Sequence, residues 1–296
     1  MDFSLTNEQQ MIIDTLKTFV EQELYPHEAE VEKTNEIRPE LYAQIKQKAL
    51  DLGLYAANMP EEHGGAGLDS LTLCLMEREL GRANFGLQYI VGRPSNILLA
   101  CKGDQIENYL HASIRGEKVD CLALTEPNAG SDVRSMQCRA ERDGDDFIIN
   151  GTKHFISHAD VADFVILFAA SGVEQTPRGP KKKITSFLVD IGTPGFTVEP
   201  GYTSVSHRGY HNCILNFDNC RVHKSQVLGE EDHGFDVANQ WLGATRLSVA
   251  AMCLGRAERA LEIATEWAAN RKQFGQTIGK FQGVSFKLAD MATELK

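Results

Sequence analysis

The hydrophobic periodicity of this chain changes twice, and those changes limit the possible folds more than any single motif does. Up to about residue 115, apolar residues recur at helical spacing, as with Ile12, Leu16, Phe19 and Val20. From Lys118 short apolar runs alternate with turn residues, which is a strand pattern. From Gly234 the helical spacing returns. Helices, then strands, then helices describe an α+β multi-domain chain, not one built of alternating βαβ units. The spacing predicts an N-terminal helical domain over 1–117 and a middle β-barrel or β-sandwich domain over 118–232. Residues 233–296 then begin a C-terminal helical bundle that is incomplete in this chain.

Local signals place the elements. Thr6 and Gln9 have capping-box spacing, in which each side chain satisfies the other residue's backbone N–H. A helix is expected over Pro39–Leu52, opened by its proline, and another over Ser70–Leu80, closed by Gly81. A fourth is expected from Asn96 onward. Pro60–Gly67 is a glycine-rich loop. Strands are expected over Val119–Leu124, Phe164–Ala170, Ile184–Ile191, Phe196–Val198 and Cys213–Val222. Phe147–Ile149 and His154–Ile156 flank Asn150-Gly151, a dipeptide favoured in two-residue hairpin turns. The basic stretch Arg178–Lys183 is expected at a solvated hairpin tip. Helices are expected over Phe235–Asn270 and from Phe281 onward.

Composition excludes several functions. Among 296 residues, 30 Lys+Arg face 41 Asp+Glu, a net charge of −11. Such a chain repels phosphate, so neither nucleic acid nor an anionic membrane surface is an expected partner. No run approaches the ~18 apolar residues of a membrane span, and Met1–Ser4 does not open a signal peptide. Seven scattered cysteines without a Cys-x-x-Cys pair suggest buried thiols in a reducing compartment, with the cytoplasm as the expected location. No Gly-x-Gly-x-x-Gly, P-loop or Gly-x-Ser-x-Gly motif occurs. His207/His211 and His154/His158 have i, i+4 spacing, with Cys213 and Cys220 nearby. That spacing converges ligands only on a helix, and these stretches are strand and loop, so no metal is expected.

The stretch Leu122–Val133 carries more chemistry. A strand ends at Thr125, turns at Pro127 and reaches Gly130-Ser131. Strand-end amides and a Thr hydroxyl can bond a polar ring edge. Gly130 permits close approach, and Ser131 can donate to a phosphate oxygen. Phe155-Ile156-Ser157 offers an aromatic face beside a further hydroxyl. A planar cofactor with a pyrophosphate tail could use these groups, and so could a tight turn packed on a buried Phe.

The same segment, Ala123–Val133, closely resembles the signature of the acyl-CoA dehydrogenase family. Pro60–Gly65 resembles the family's Pro-Glu-x-x-Gly-Gly loop, and Asn150–Ser157 its Asn-Gly-x-Lys-x-x-Ile-[Ser/Thr] element. Pro194–Phe196, Arg208-Gly209 and Phe217–Val222 resemble its second β segment. Arg271–Gly275 and Phe281-Gln282 resemble its Arg-x-x-Phe-Gly and Phe-Gln elements. The likeness runs in order from Asp2 to Lys296.

It implies FAD as cofactor, held by Leu122, Ala123, Leu124, Thr125, Gly130, Ser131, Phe155, Ile156 and Ser157. Phe155 stands where the family usually has Trp. Arg271, Phe274 and Gln282 are implied to reach the FAD of a neighbouring subunit in a homodimer or homotetramer. Ser131, Gly243, Ala244, Thr245 and Arg246 are implied to contact an acyl-CoA substrate. The implied reaction is α,β-dehydrogenation of the thioester in fatty acid metabolism, with electrons passed to an electron-transferring flavoprotein. No catalytic residue is assigned within the chain. Most of the family carries its catalytic Glu in a segment that corresponds to sequence beyond residue 296, and a minority at the position of Thr245. Glu126 matches a turn position. An acyl-CoA oxidase-like flavoenzyme, or a non-catalytic acyl-CoA- or flavin-binding short form, are the alternatives.

Overall fold

The computed structural model describes residues 4–177 and 179–296. Helix α1 (Asn7–Phe19) begins at the expected capping box. The Thr6 hydroxyl accepts from the Gln9 N–H, and the Gln9 side chain accepts from the Thr6 N–H, both at 3.1 Å. Helix α2 spans Glu28–Thr34 and α3 spans Pro39–Asp51, burying Leu41, Ile45 and Ala49 on one face. Helix α4 (Ser70–Leu80) is capped by Asp69, which accepts from the Thr72 N–H at 2.8 Å. A short helix α5 (Phe85–Tyr89), which the sequence pattern did not reveal, follows.

The helix expected from Asn96 is broken into a 3₁₀ turn at Asn96–Ala100, a wide turn at Ile106–His111 and the short α6 (Ala112–Ile114). Gly103, at φ +54°, reverses the chain between the first two and prevents a continuous helix.

Among the described residues, eight strands form one mixed sheet. They are β1 (Asp120–Ala123), β2 (Arg139–Asp143), β3 (Asp146–Ser157), β4 (Phe164–Thr176), β5 (Gly179–Asp190), β6 (Phe196–Tyr202), β7 (Asn212–His223) and β8 (Val227–Leu228). Their order is β6-β7-β3-β2-β4-β5-β8, with β1 parallel to β4. The sheet curls over on itself, because Phe147 of β3 and Phe187 of β5 are not strand neighbours yet meet edge-on at 5.0 Å.

Curling explains the unbroken apolar run in β4. Val165, Leu167 and Ala169 face the core inside the curl, with Phe147, Ile149 and Leu215. Phe164, Ile166 and Phe168 face Met59, Ile97, Leu98 and Tyr109 outside it. A strand buried on both faces has no polar alternation to show.

Two expectations are corrected here. Asn150-Gly151 is not a hairpin turn but lies inside the continuous β3. The actual β2–β3 turn is Gly144-Asp145, with Asp143 paired to Asp146 and Gly144 at φ +64°. Opposite Asn150-Gly151, β3 advances two residues while β7 advances three, so β7 carries the extra residue. Asn150 accepts the freed Asn219 N–H at 2.9 Å. Gly151 is needed for another reason: at φ +145° a Cβ there would lie 2.6 Å from the Cys138 Cα.

The basic stretch is not simply a solvated tip. Arg178 lies outside the described residues, and Lys181–Lys183 belong to β5. The Lys182 Nζ donates to the Ser135 carbonyl at 3.3 Å, and Lys183 pairs with Asp232 at 2.7 Å.

Helix α7 (Gly234–Asn270) is followed by a small hairpin of β9 (Lys272–Gln273) and β10 (Gln276–Thr277), then α8 (Gln282–Glu294). The chain divides into two compact units. One comprises Met1–Ala29, Asp69–Asn84 and Thr245–Lys296, and the other Glu30–Leu68 and Phe85–Ala244. In the first, α4 and α7 cross at glycines. A Cβ on Gly255 would lie 1.7 Å from the Arg78 carbonyl oxygen, and one on Gly81 2.3 Å from that of Met252. Arg78 with Glu258, and Arg82 with Glu262, close the flanks of this crossing.

Gly151→Ala forces β2 and β3 apart, and is expected to destabilise the fold by about 1–3 kcal/mol. Urea unfolding of the two proteins measures this, and equal midpoints contradict the packing described.

Candidate functional site

The site is built around a buried ion pair. The side chains of Lys153, on β3, and Glu126, after β1, are 0% and 4% exposed and lie 2.8 Å apart. The Lys153 ammonium also donates to the Leu124 carbonyl at 3.0 Å. The Glu126 carboxylate accepts from the Gln137 and Cys138 N–H groups. The Thr125 carbonyl accepts the His154 N–H at 2.9 Å. Thr125 is thereby held beside residues 154–157, some 30 positions later in sequence. Buried and ion-paired with Lys153, Glu126 is structural and is not available as a general base.

Residues 153–156 form a bulge, in which β3 advances three residues while β7 advances two. Phe155 takes up the extra step at φ +55°, a left-handed conformation rare for an aromatic residue, and its ring is 53% exposed. Backbone outliers of this kind cluster at functional sites. His154 and Tyr202 surround the ring, with centroids 4.4 and 5.2 Å from that of Phe155 and a 3.1 Å hydrogen bond between them. Ile156 turns into the core. Ser157 is half-buried and donates to the Asn212 carboxamide oxygen at 3.1 Å.

Of the strand residues, Leu122 is half-buried, while the side chains of Ala123 and Leu124 go to opposite cores. Only the backbone of Ala123 and Leu124 remains for a ligand. Gly130 and Ser131 are exposed, and a Cβ on Gly130 would meet nothing within 4 Å, which leaves the space a ligand needs.

Other expected residues form separate groups. Gly243, Ala244, Thr245 and Arg246 are consecutive on α7, all at least partly exposed. Arg271, Phe274 and Gln282 belong to the β9–β10 hairpin region. The Arg271 carbonyl accepts the Ile278 N–H at 2.8 Å, and Phe274, at φ +52°, is 93% exposed.

Sequence reasoning missed the residues beneath Ser157. Tyr210 stacks on His158 at 5.0 Å and meets Tyr89 and Phe85 edge-on at 4.9 and 4.5 Å. These residues are far apart in sequence, and no local pattern links them. His158 is buried, and its Nε2 has no hydrogen-bond partner. Burial lowers its pKa to about 4. The candidate metal ligands are otherwise engaged. His211 Nδ1 pairs with Asp160 at 2.6 Å, and its Nε2 donates to the Asn35 carbonyl at 2.9 Å. No group of three or more His, Cys, Asp or Glu among the described residues is placed to hold a metal.

Family models for the acyl-CoA dehydrogenase N-terminal, middle and C-terminal domains match residues 6–117, 121–220 and 232–296. A 3-(aryl)acrylate reductase of Clostridium sporogenes is 36% identical over 98% of this chain and 76% of its own length. The solved butyryl-CoA dehydrogenase of Megasphaera elsdenii is 33% identical, with a TM-score of 0.87 over 100% of this chain and 77% of that one. A chain in a structure of the electron transferring flavoprotein of Acidaminococcus fermentans is 34% identical, with a TM-score of 0.86 over 100% and 77%. The chain belongs to the acyl-CoA dehydrogenase family of FAD-dependent oxidoreductases. The donor set suits a flavin: a displayed aromatic ring, hydroxyls at Thr125, Ser131 and Ser157, and open space over Gly130.

Lys153→Met strands a buried carboxylate and is expected to cost about 3–5 kcal/mol in urea unfolding. Adding Glu126→Met does not restore the parent, because the Gln137 and Cys138 N–H groups then lose their acceptor. Recovery to the parent midpoint would contradict this.

Because the folded-state pKa of His158 is depressed, its contribution to stability is present above pH 6.5 and is lost as pH falls toward 4. The full loss is about 3 kcal/mol. In His158→Asn, where Asn tolerates the left-handed backbone, unfolding midpoints across pH 6.5–4 should fall less steeply than in the parent.

Proposed function

We propose that this chain binds FAD and an acyl-CoA thioester for α,β-dehydrogenation of the thioester. The observation that carries this reading is the strained bulge that displays Phe155 between the Thr125 and Ser157 segments. Phe155 would stack on the flavin, while Thr125, Ser157 and the backbone of 122–124 and 156 would bond its ring edge. Gly130 and Ser131 would receive the pyrophosphate. Arg271, Phe274 and Gln282 would serve the FAD of a neighbouring subunit in a homodimer or homotetramer, which fits the exposure of Phe274. When bound, FAD supplies the hydride acceptor.

The protein's own part is to orient the thioester and exclude water. Ser131 and the α7 turn Gly243–Arg246 would contact the acyl-CoA. A carboxylate must accept the α-proton. Glu126 is ruled out by its own bonds, and Thr245 is too weak a base. For the electron acceptor we propose an electron-transferring flavoprotein, a reading supported by the likeness to a chain from such a structure. The seven free cysteines fit a reducing location such as the cytoplasm. No helix among the described residues is long and apolar enough to cross a membrane.

The protein should purify with FAD or regain it on reconstitution. Phe155→Ala should weaken FAD binding about tenfold, from loss of ring contact. A chain that takes up no flavin at saturating FAD refutes the reading. Thr245→Glu should accelerate anaerobic bleaching of bound flavin by acyl-CoA thioesters by roughly 10²-fold or more. Rapid bleaching by the unaltered chain would place the base among its other residues.

A further inference from the structure

His211, the last residue before β7, sets both of its ring nitrogens against atoms that can only accept. Its Nδ1 lies 2.6 Å from an Asp160 carboxylate oxygen, and its Nε2 lies 2.9 Å from the Asn35 carbonyl oxygen. A neutral imidazole carries one N–H and can satisfy only one of them, whereas the imidazolium donates to both. The geometry therefore requires a cation at His211. Burial alone would lower its pKa, but the Asp160 carboxylate, the Asn35 carbonyl and the Glu36 carboxylate together raise it above 6.5. The other groups packed around it do not oppose this. His158, whose N–H donates to the His211 carbonyl at 2.9 Å, is kept neutral by burial down to about pH 4. Tyr42 of α3, beside His158, stays neutral up to about pH 12.

The cation closes a join between two segments of one compact unit. Asn35 follows α2 at φ +61°, and its N–H ends the helix on the Val31 carbonyl at 2.8 Å. Against this helix end the loop ahead of β7 places three donors. Arg208 Nε reaches the Glu32 carbonyl at 3.2 Å, the Gly209 N–H reaches the Asn35 side-chain oxygen at 3.1 Å, and His211 reaches the Asn35 carbonyl. Cations are favoured at the carbonyl end of a helix. Of the three donors only His211 titrates near neutrality, because a guanidinium stays charged and a backbone N–H does not ionise. Its side chain is 39% exposed, so water can take the proton. After that loss Nδ1 keeps the remaining proton for the carboxylate, the stronger acceptor. Nε2 then turns a lone pair on the Asn35 carbonyl oxygen, and an attraction becomes a repulsion between two acceptors.

We propose that His211 is a pH-operated latch, which as an imidazolium ties the loop ahead of β7 to the end of α2 and on deprotonation lets the α2–α3 link go. Tyr210, packed against Tyr89 and His158, rides on the latched loop. The latch is independent of the residues assigned to the flavin.

Its ionisation is read by NMR on the full chain labelled with nitrogen-15 histidine, where His211→Gln identifies the His211 signals among the nine histidines. His211 is expected to be mainly imidazolium at pH 6.5, with its midpoint above that pH. Asp160→Asn removes the anion and should bring the midpoint down. Its mechanical effect is read by hydrogen exchange, expressed as protection factors so that the intrinsic pH dependence of exchange is divided out. Because the folded-state pKa is raised, the hold is complete below pH 6.5 and is lost as pH rises through the midpoint. Protection of the Gly209 amide and of residues 30–38 should then fall about 10-fold or more, the worth of one charge-assisted hydrogen bond. His211→Gln should show no such step, and the α1 amides should show none in either protein.

A His211 midpoint at or below 6.5 overturns the latch. So does a parent chain without the step in protection, or a step of equal size in His211→Gln. A step that stays at the parent's pH in Asp160→Asn overturns it as well.

Discussion

The ion pair between Lys153 and Glu126 is the constraint on which the site depends. Two charges without access to water persist only when paired and fully hydrogen-bonded. Here the ammonium is shared between a carboxylate and the Leu124 carbonyl, and the carboxylate also accepts two backbone N–H groups. The pair therefore joins three segments: the exit from β1, the entry to β2 and the middle of β3. Hydrophobic packing alone could let the 124–138 loop slide over the sheet. A buried charge cannot slide without losing its partner.

From that anchor the rest of the site follows by strand geometry. Lys153 is held inward, and β3 must still complete its pairing with β7 a few residues later. The extra residue in this interval puts Phe155 in a left-handed conformation and turns its ring outward. Ile156 then returns to the core, and Ser157 is back in register with Asn212. The displayed ring and the aligned hydroxyl are two consequences of one bulge. Its strain, of order 1–3 kcal/mol, is borne by a sheet packed on both faces.

The other residues proposed for recognition are organised differently. Gly243–Arg246 ride on α7, a helix long enough to belong to both compact units. Arg271, Phe274 and Gln282 gather at a small hairpin, where Phe274 shows nearly all of its ring to solvent.

Much of this protein was legible in its sequence because the relevant signals are local. The Thr6/Gln9 cap, the helices at 39–51 and 70–80, the long helix from 234 and the apolar β4 all reflect interactions between residues at fixed short offsets. The motif at 122–133 and the Phe155–Ser157 triplet likewise carry the residues proposed to meet the flavin. Where local rules misled, a long-range partner had overridden them. Asn150-Gly151 has a turn's composition, but Cys138 packs against Gly151 and β7 supplies the irregularity, so the strand runs straight through. Lys182 and Lys183 look like solvated charges until Met136, Ser135 and Asp232 are brought to them. The fate of Glu126, the strain at Phe155 and the packing of Tyr89 and His158 against Tyr210 each depend on residues separated by tens of positions. Nothing in the spacing of a sequence encodes such meetings, and only the curled sheet, with its register and its bulges, decides them.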